Sequence, residues 1–374
     1  MNDKFNMENE DNMEKEKKSK IKKILVNLTI FILLIILTFS LVLKDQDVSQ
    51  IFSVAAKVKK QYILFAVLAM SIYILGEAVN ITRILKELGE KSKLISNIRY
   101  TLIGFFFSAI TPAASGGQPT WPQPMEIYYM HKDDISVANS TLALLMQLCS
   151  LQIVTITVGI ISAVIHFEVL KSGLIYLLIL GIILNSSALM LLIIAIFSKR
   201  LSEGLIKFVV KLLKFFRIPN VEKKQEKLEK ELESYQTSAK YIKEHKILML
   251  KTVITTVVQM IAYYSVPYWI YLAFGLTEYN IFEILTLQAV LYATVSGIPS
   301  PGAVGVSEGG FLGIFRNVFP ETIISSAMLL TRGANFYLFI IISAIIVMIS
   351  TFREKRIEKK QMQETEVLTE KSEK

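Results

Sequence analysis

The chain has 374 residues, 52% of them hydrophobic, with a net charge of +9 and a mean hydropathy of +0.47. A soluble domain must turn a polar surface to water, so this much apolar mass, gathered in blocks, excludes one. The single cysteine, Cys149, has no intrachain partner, and His131, His166 and His245 are too scattered for a metal site or a catalytic triad. No catalytic residue, metal or cofactor is expected. The basic residues gather in tails and loops, which fits membrane orientation and anionic lipid headgroups rather than nucleic acid.

Residues 1–23 form a polar tail ending in the cluster Lys15, Lys17, Lys18, Lys20, Lys22 and Lys23. The run 24–43 carries no Asp, Glu, Lys or Arg, and about 20 such residues cross a bilayer core of about 30 Å as a helix. It is too long for a cleavable signal peptide, and no small-residue cleavage pattern follows it. A second helix is predicted over 62–85. A third begins near Ile98 and is cut at Thr111 and Pro112, before a stretch holding Gly116, Gly117, Pro119 and Pro122. Long helices follow over 137–166 and 173–197, then a segment of soluble character over 198–246. Another helix is predicted over 247–274. An interrupted unit comes next: 281–297, a break through Pro299, Pro301, Gly302 and Gly305, and a half-helix to Phe319. The last helix covers 323–350, and 351–374 is a charged tail.

Charge selects among topologies. The N-terminal tail, the Lys-rich 198–246 segment and the tail with Arg353, Lys355, Arg356, Lys359 and Lys360 all belong on the cytoplasmic side. Single crossings by every apolar unit place 198–246 outside. If 98–136 dips in and returns, that segment lies inside. If 281–319 does the same from the other face, the C-terminal tail also lies inside. The expected fold is an all-α polytopic membrane domain over 24–350, with about six full spans and two re-entrant broken hairpins from opposite faces. Lys44, Lys57, Lys59 and Lys60 then fall in an outer loop, against the bias. Backbone that leaves the helix inside a bilayer must be buried in protein or line a wet cavity, so two such breaks predict a shared central chamber between inverted halves.

The 198–246 segment divides in two. Over 201–218, Glu203, Lys207, Lys211 and Lys214 recur at helical spacing among Leu205, Phe208, Leu212, Phe215 and Phe216, an interfacial amphipathic pattern. Leu228, Leu232, Tyr235, Ala239 and Ile242 form a narrow seam that fits packing on a partner helix.

Charges inside hydrocarbon are costly and mark function. Glu77 and Asn80 share one face of the second helix. Arg83 and Lys251 lie near helix ends, where snorkelling accounts for them. Ser307 and Glu308 stand in the first turn of the half-helix, where free N–H groups favour a lipid phosphate or where the two side chains cap their own helix. Arg332 pairs with Glu308 or contacts the phosphate. In the first break Gly116 and Gly117 permit backbone shapes closed to other residues, and Gln118 adds an amide; a plain tight turn is the other reading.

The stretch Ala114-Ser115-Gly116-Gly117-Gln118-Pro119, followed by Met125-Glu126-Ile127-Tyr128-Tyr129, and the stretch from Ile298 through Pro301-Gly302-Ala303-Val304-Gly305-Val306-Ser307-Glu308-Gly309-Gly310 to Phe311 carry a resemblance. Together they resemble the transmembrane, flippase-like domain of the lysylphosphatidylglycerol synthase family, the membrane half of the multiple peptide resistance factor. In that family a membrane domain moves aminoacylated phosphatidylglycerol to the outer leaflet, and a separate soluble domain makes the lipid from lysyl-tRNA. The resemblance implies that Gly116, Gly117, Pro301, Gly302, Gly305, Glu308 and Gly309 are motif positions, and Arg332 is similar to a recurring arginine of the last helix. Residues 120–124 look like an insertion. It also implies a bacterial plasma-membrane protein, linked to antibiotic resistance, whose partners are the bilayer and a phosphatidylglycerol or lysyl-phosphatidylglycerol type of phospholipid; a homo-oligomer is compatible. The chain after its last helix is too short for a transferase domain, so a flippase is expected. A phosphatidylglycerol lysyltransferase by family membership, and a non-transporting scaffold, stay open as alternatives.

Overall fold

A computed structural model describes residues 53–110, 114–115, 118–119, 124–165, 174–200, 221–298 and 301–353, with isolated positions at 29 and among 203–211. The 24–43 helix, most of 201–218, Gly116, Gly117 and both tails lie outside the described residues.

In chain order, α1 (Lys60–Glu87) is followed by α2 (Leu94–Ile110), which begins earlier than the expected Ile98. The strands β1 (Ala114–Ser115) and β2 (Gln118–Pro119) pair antiparallel in the break, and α3 (Pro124–Lys132) returns from it. Then come α4 (Val137–Ile165), α5 (Leu174–Phe197) and α6 (Val221–Glu244). The predicted 247–274 helix is two pieces, α7 (Lys246–Tyr264) and α8 (Val266–Ala273). Pro267 has no N–H to continue the ladder, and the Ser265 hydroxyl donates to the Ala262 carbonyl at 2.7 Å, so the helix is interrupted there. Next is α9 (Ile281–Val295), opened by a reciprocal cap in which Asn280 Oδ1 accepts from Glu283 N and Glu283 Oε2 accepts from Asn280 N. A short 3₁₀ turn at Pro301–Ala303 leads to α10 (Val306–Ile314), and α11 (Ile324–Arg353) ends the described chain.

Five helices among the described residues are long and apolar enough to cross a membrane: α1, α4, α5, the α7–α8 rod and α11. These are five of the six spans expected; the other, 24–43, lies outside the described residues. The short helices α2 and α9 differ from them in burial. Every side chain from Tyr100 to Ile110 is buried, as is every one from Thr286 to Val295. A helix buried on all sides is enclosed by protein, and so these limbs can descend to broken backbone without exposing it to lipid. By contrast α5 exposes Ile179, Ile183, Met190 and Ile193, as a lipid-facing helix does.

Hydrogen bonds establish the direction of each limb. The helix α1 runs antiparallel to the α7–α8 rod: Lys59 N donates to Ala273 O at one end, and Arg83 Nη1 donates to Lys251 O near the other. The α2–α3 hairpin is rooted at the Arg83 end, where Asn97 Nδ2 donates to Thr82 Oγ1 at 2.7 Å and Arg99 pairs with Asp133. The α9–α10 hairpin is rooted at the Lys59 end. There Tyr271, Phe274 and Phe319 form an aromatic cluster and Tyr279 donates to Asn317 O. The two hairpins therefore enter from opposite ends. Their tips meet: β1 and the end of α2 pack against the Pro301–Ala303 turn.

Small residues bring the backbones close. A Cβ at Gly159 would stand 2.7 Å from Ala293 Cβ, and one at Gly181 would stand 2.3 Å from Ala293 O. Asn185 on α5 then reaches Ala293 O and Ser296 Oγ across the same contact. Without a hydrophobic drive between helices in lipid, such close approach and interhelical hydrogen bonding supply the association. Cys149 is buried in this bundle. The 228–242 seam finds its partner helix: Ala239 and Ile242 are buried, α6 packs on α4, and Ser238 Oγ donates to Asn139 Oδ1.

Candidate functional site

The second break is built by two glycines in left-handed backbone. Gly302 has φ +60° and Gly305 φ +88°, conformations that cost a side-chain-bearing residue energy. At Gly302 there is a second reason: a Cβ would lie 2.3 Å from Phe336 Cζ. The turn aims the Gly305 N–H at Glu308, whose Oε2 accepts it at 2.7 Å. Glu308 thus caps its own helix.

Its other oxygen serves a different purpose. Arg332 Nε donates to Glu308 Oε1 at 2.8 Å, Tyr337 Oη donates to the same oxygen at 3.3 Å, and Arg332 Nη2 donates to Gly302 O at 3.0 Å. The guanidinium lies 4.1 Å over the Phe336 ring, a cation–π contact. Both charged side chains are all but excluded from the surface. Immediately after Arg332 the helix widens into a π-turn, Gly333–Tyr337, which places Phe336 and Tyr337 around the guanidinium. One donor, Arg332 Nη1, is buried with no acceptor among the described residues.

From this ion pair a polar zone continues through the bundle. Tyr263 is within electrostatic reach of Glu308 and Arg332. Its ring packs 5.3 Å from Tyr73 and 5.4 Å from Tyr292. Tyr73, Tyr292 and Glu126 all lie within electrostatic reach of Glu77. Glu77 stands near the middle of α1, whereas Glu126 comes from the returning limb of the first hairpin. Glu126 is 1% exposed, and its Oε1 has no partner among the described residues. Room for it is made by Gly104, where a Cβ would stand 2.4 Å from Glu126 Oε2. Composition of the zone is lopsided: three carboxyl groups against the one guanidinium of Arg332.

Asn80, one turn from Glu77, has a different environment. Its Nδ2 donates to Gln147 Oε1, Thr256 Oγ1 and Thr252 O, and its Oδ1 accepts from Arg83. It therefore joins α1, α4 and α7 in a buried polar ladder. Arg83 does not snorkel freely. Besides Asn80, its Nη1 reaches Lys251 O and Thr255 Oγ1, each at 3.0 Å, because the facing turn of α7 presents those acceptors.

The sequence-predicted residues are thus distributed as follows. Gly302, Gly305, Glu308 and Arg332 come together. Pro301 stands in the adjoining turn, and Ser307 is half-buried in the first turn of α10. Gly309 is exposed, and a Cβ there meets nothing within 4 Å. Gln118 has its backbone in β2, opposite Ser115, and Gly116 and Gly117 lie outside the described residues. Glu126 joins these buried charged groups although the sequence pattern does not single it out; its signal is a carboxyl in the return limb just after a break.

Comparison with protein-family models matches residues 24–343 to the one described as "Lysylphosphatidylglycerol synthase TM region". No curated protein matches the chain.

Proposed function

The chain belongs to the lysylphosphatidylglycerol synthase family through its transmembrane region, and from that premise we propose that it carries a polar lipid headgroup across the bilayer, an aminoacyl-phospholipid or a similar lipid. The observation that supports this most is the meeting of two broken hairpins, rooted at opposite ends, beside a buried Glu308–Arg332 pair and the carboxylates of Glu77 and Glu126. Moving a charged headgroup through hydrocarbon unaided is prohibitive, whereas the acyl tails can stay in lipid. A protein that speeds this crossing needs polar groups at mid-membrane with bonding capacity to spare, and Arg332 Nη1 and Glu126 Oε1 are such groups.

In this reading the headgroup lies among Gly116, Gly117, Gln118, Pro301, Gly302, Gly305, Ser307, Glu308, Gly309 and Arg332, with Glu77 on the facing helix, whereas the Asn80 amide is engaged in the α1–α4–α7 ladder. Arg332 Nη1 takes a phosphate oxygen, because a guanidinium held by a carboxylate on one edge still presents donors on the other. Glu308 holds Arg332 in place. The buried carboxyl groups of Glu77 and Glu126 can accept from an amine and ionise as its ammonium brings the counter-charge, which is why an aminoacylated headgroup fits better than plain phosphatidylglycerol. Opening the zone alternately to each leaflet completes transfer. The protein works in a bacterial plasma membrane with both termini in the cytoplasm.

The test is reconstitution in proteoliposomes with fluorescent lysyl-phosphatidylglycerol and phosphatidylglycerol, scored by quencher access. Wild-type protein is expected to accelerate the lysyl lipid more, and Arg332→Lys, Glu77→Gln and Glu126→Gln to slow it. A wild-type protein that moves neither lipid overturns the function; three variants at the wild-type rate overturn the site.

A further inference from the structure

A second polar feature lies away from the hairpin tips, at the end of α1 where the α2–α3 hairpin is rooted. Arg83, Glu87, Glu244, His245, Lys246 and Lys251 line a half-open pocket of about 470 Å³. It is formed where α6 stops, His245 turns the chain, and α7 begins. The His245 side chain does not cap α7. Its Nδ1 lies 2.7 Å from Tyr241 O and its ring stacks on Tyr241 at 3.8 Å. The N-terminal turn of α7 therefore contributes its partial positive charge to the pocket wall.

Arg83 is a fixed cation here, since Nη1 is tied to Asn80, Lys251 O and Thr255. Glu87 is engaged by the Tyr241 hydroxyl at 3.2 Å. Arg83, Lys246 and Lys251 exceed Glu87 and Glu244 by one positive charge, which a singly charged phosphodiester neutralises.

The surroundings say where that phosphodiester comes from. Ile247, Leu250, Ile254 and Val258 form an exposed apolar stripe along α7, and Lys251 interrupts it about one turn from its start. On the antiparallel α1, the exposed stripe Leu64, Leu68, Ile72 and Leu75 leads toward Arg83. In a bilayer such faces meet acyl chains, and a lysine one turn inside them stands at headgroup depth. We infer that this pocket holds the phosphate of an anionic glycerophospholipid whose tails lie along α1 and α7, and that the bound lipid ties the end of α6 to the membrane helices. This site is separate from the headgroup route between the hairpins and does not depend on it.

The experiment uses the full chain purified in detergent, with phosphatidylglycerol, phosphatidylcholine and inorganic phosphate as probes. Native mass spectrometry is expected to show a retained phosphatidylglycerol that phosphatidylcholine replaces poorly. Lys246→Gln/Lys251→Gln is expected to lower its occupancy about tenfold. Hydrogen exchange should slow at the end of α6 when phosphatidylglycerol is added to wild type, and not in the double variant. Because this exchange is read at the end of α6, it reports the pocket and not the hairpin site. Wild-type retention by the double lysine variant overturns the site. Displacement of the lipid by millimolar inorganic phosphate overturns its assignment to a lipid.

Discussion

Arg332 and Glu308 meet through a single hydrogen bond of 2.8 Å from Nε to Oε1, while Glu308 Oε2 holds the N–H of Gly305 and Arg332 Nη2 holds the carbonyl of Gly302. One ion pair therefore fastens both sides of a helix break to the last span. Removing one partner strands the other as a buried charge, at a cost of about 3–5 kcal/mol. Arg332→Ala should lower thermal stability in detergent by that order. The double variant Arg332→Met/Glu308→Gln should be more stable than Arg332→Ala alone, because it leaves no stranded charge. A double variant less stable than the single would remove the ion pair as the cause.

Gly302 and Gly309 make opposite predictions although both lie in the glycine-rich motif. At Gly302 an alanine meets both the left-handed backbone and the Phe336 ring, and a loss of about 1–3 kcal/mol is expected. Adding Phe336→Leu should recover only part of it, since the backbone strain stays. At Gly309 the added methyl meets nothing and the site is helical, so Gly309→Ala should hold or raise stability by up to about 1 kcal/mol. If it nevertheless slows lipid transfer in proteoliposomes, the open space beside it is used by the ligand.

The Gly104–Glu126 contact gives a compensation test. Gly104→Ala drives a methyl into Glu126 Oε2 and should destabilise the first hairpin, read as faster proteolysis or a lower unfolding temperature. Glu126→Ala in the same chain should restore stability without restoring transport. Glu126→Gln, which keeps the volume, should not rescue the packing.

Asn80 is a hub of four hydrogen bonds among α1, α4 and α7. Asn80→Ala leaves buried donors and acceptors unpaired at about 1–3 kcal/mol for the network. Unfolding in detergent measures this, and a change under 0.5 kcal/mol would show that water or neighbouring side chains replace the amide.

Much of this architecture was legible from the amino-acid order. Helix spans follow from uninterrupted apolar length, because lipid forces every backbone group to bond within its own segment. The end of α2 at Ile110, ahead of Pro112, and the break at Pro301, Gly302 and Gly305 follow from residues that cannot continue a ladder or that tolerate left-handed backbone. Glu308 and Arg332 stood out because charge in hydrocarbon is costly. The interruption at Ser265 does not follow as directly, although Pro267 is its signal, because one proline near the end of a long apolar run is compatible with an unbroken helix.

What only the tertiary structure decided is which buried groups face one another. Glu77 and Glu126 belong to different elements, and nothing in their separation along the chain says that a glycine at 104 opens the space Glu126 occupies. Asn80 and Glu77, neighbours on one helix face, lie in different surroundings because different helices pack against each. Local composition sets the length, polarity and breaking points of each segment, since those depend on residues close in sequence and on the solvent. Partnerships between segments depend on packing distances of a few ångströms across the bundle, and no one-dimensional pattern encodes them.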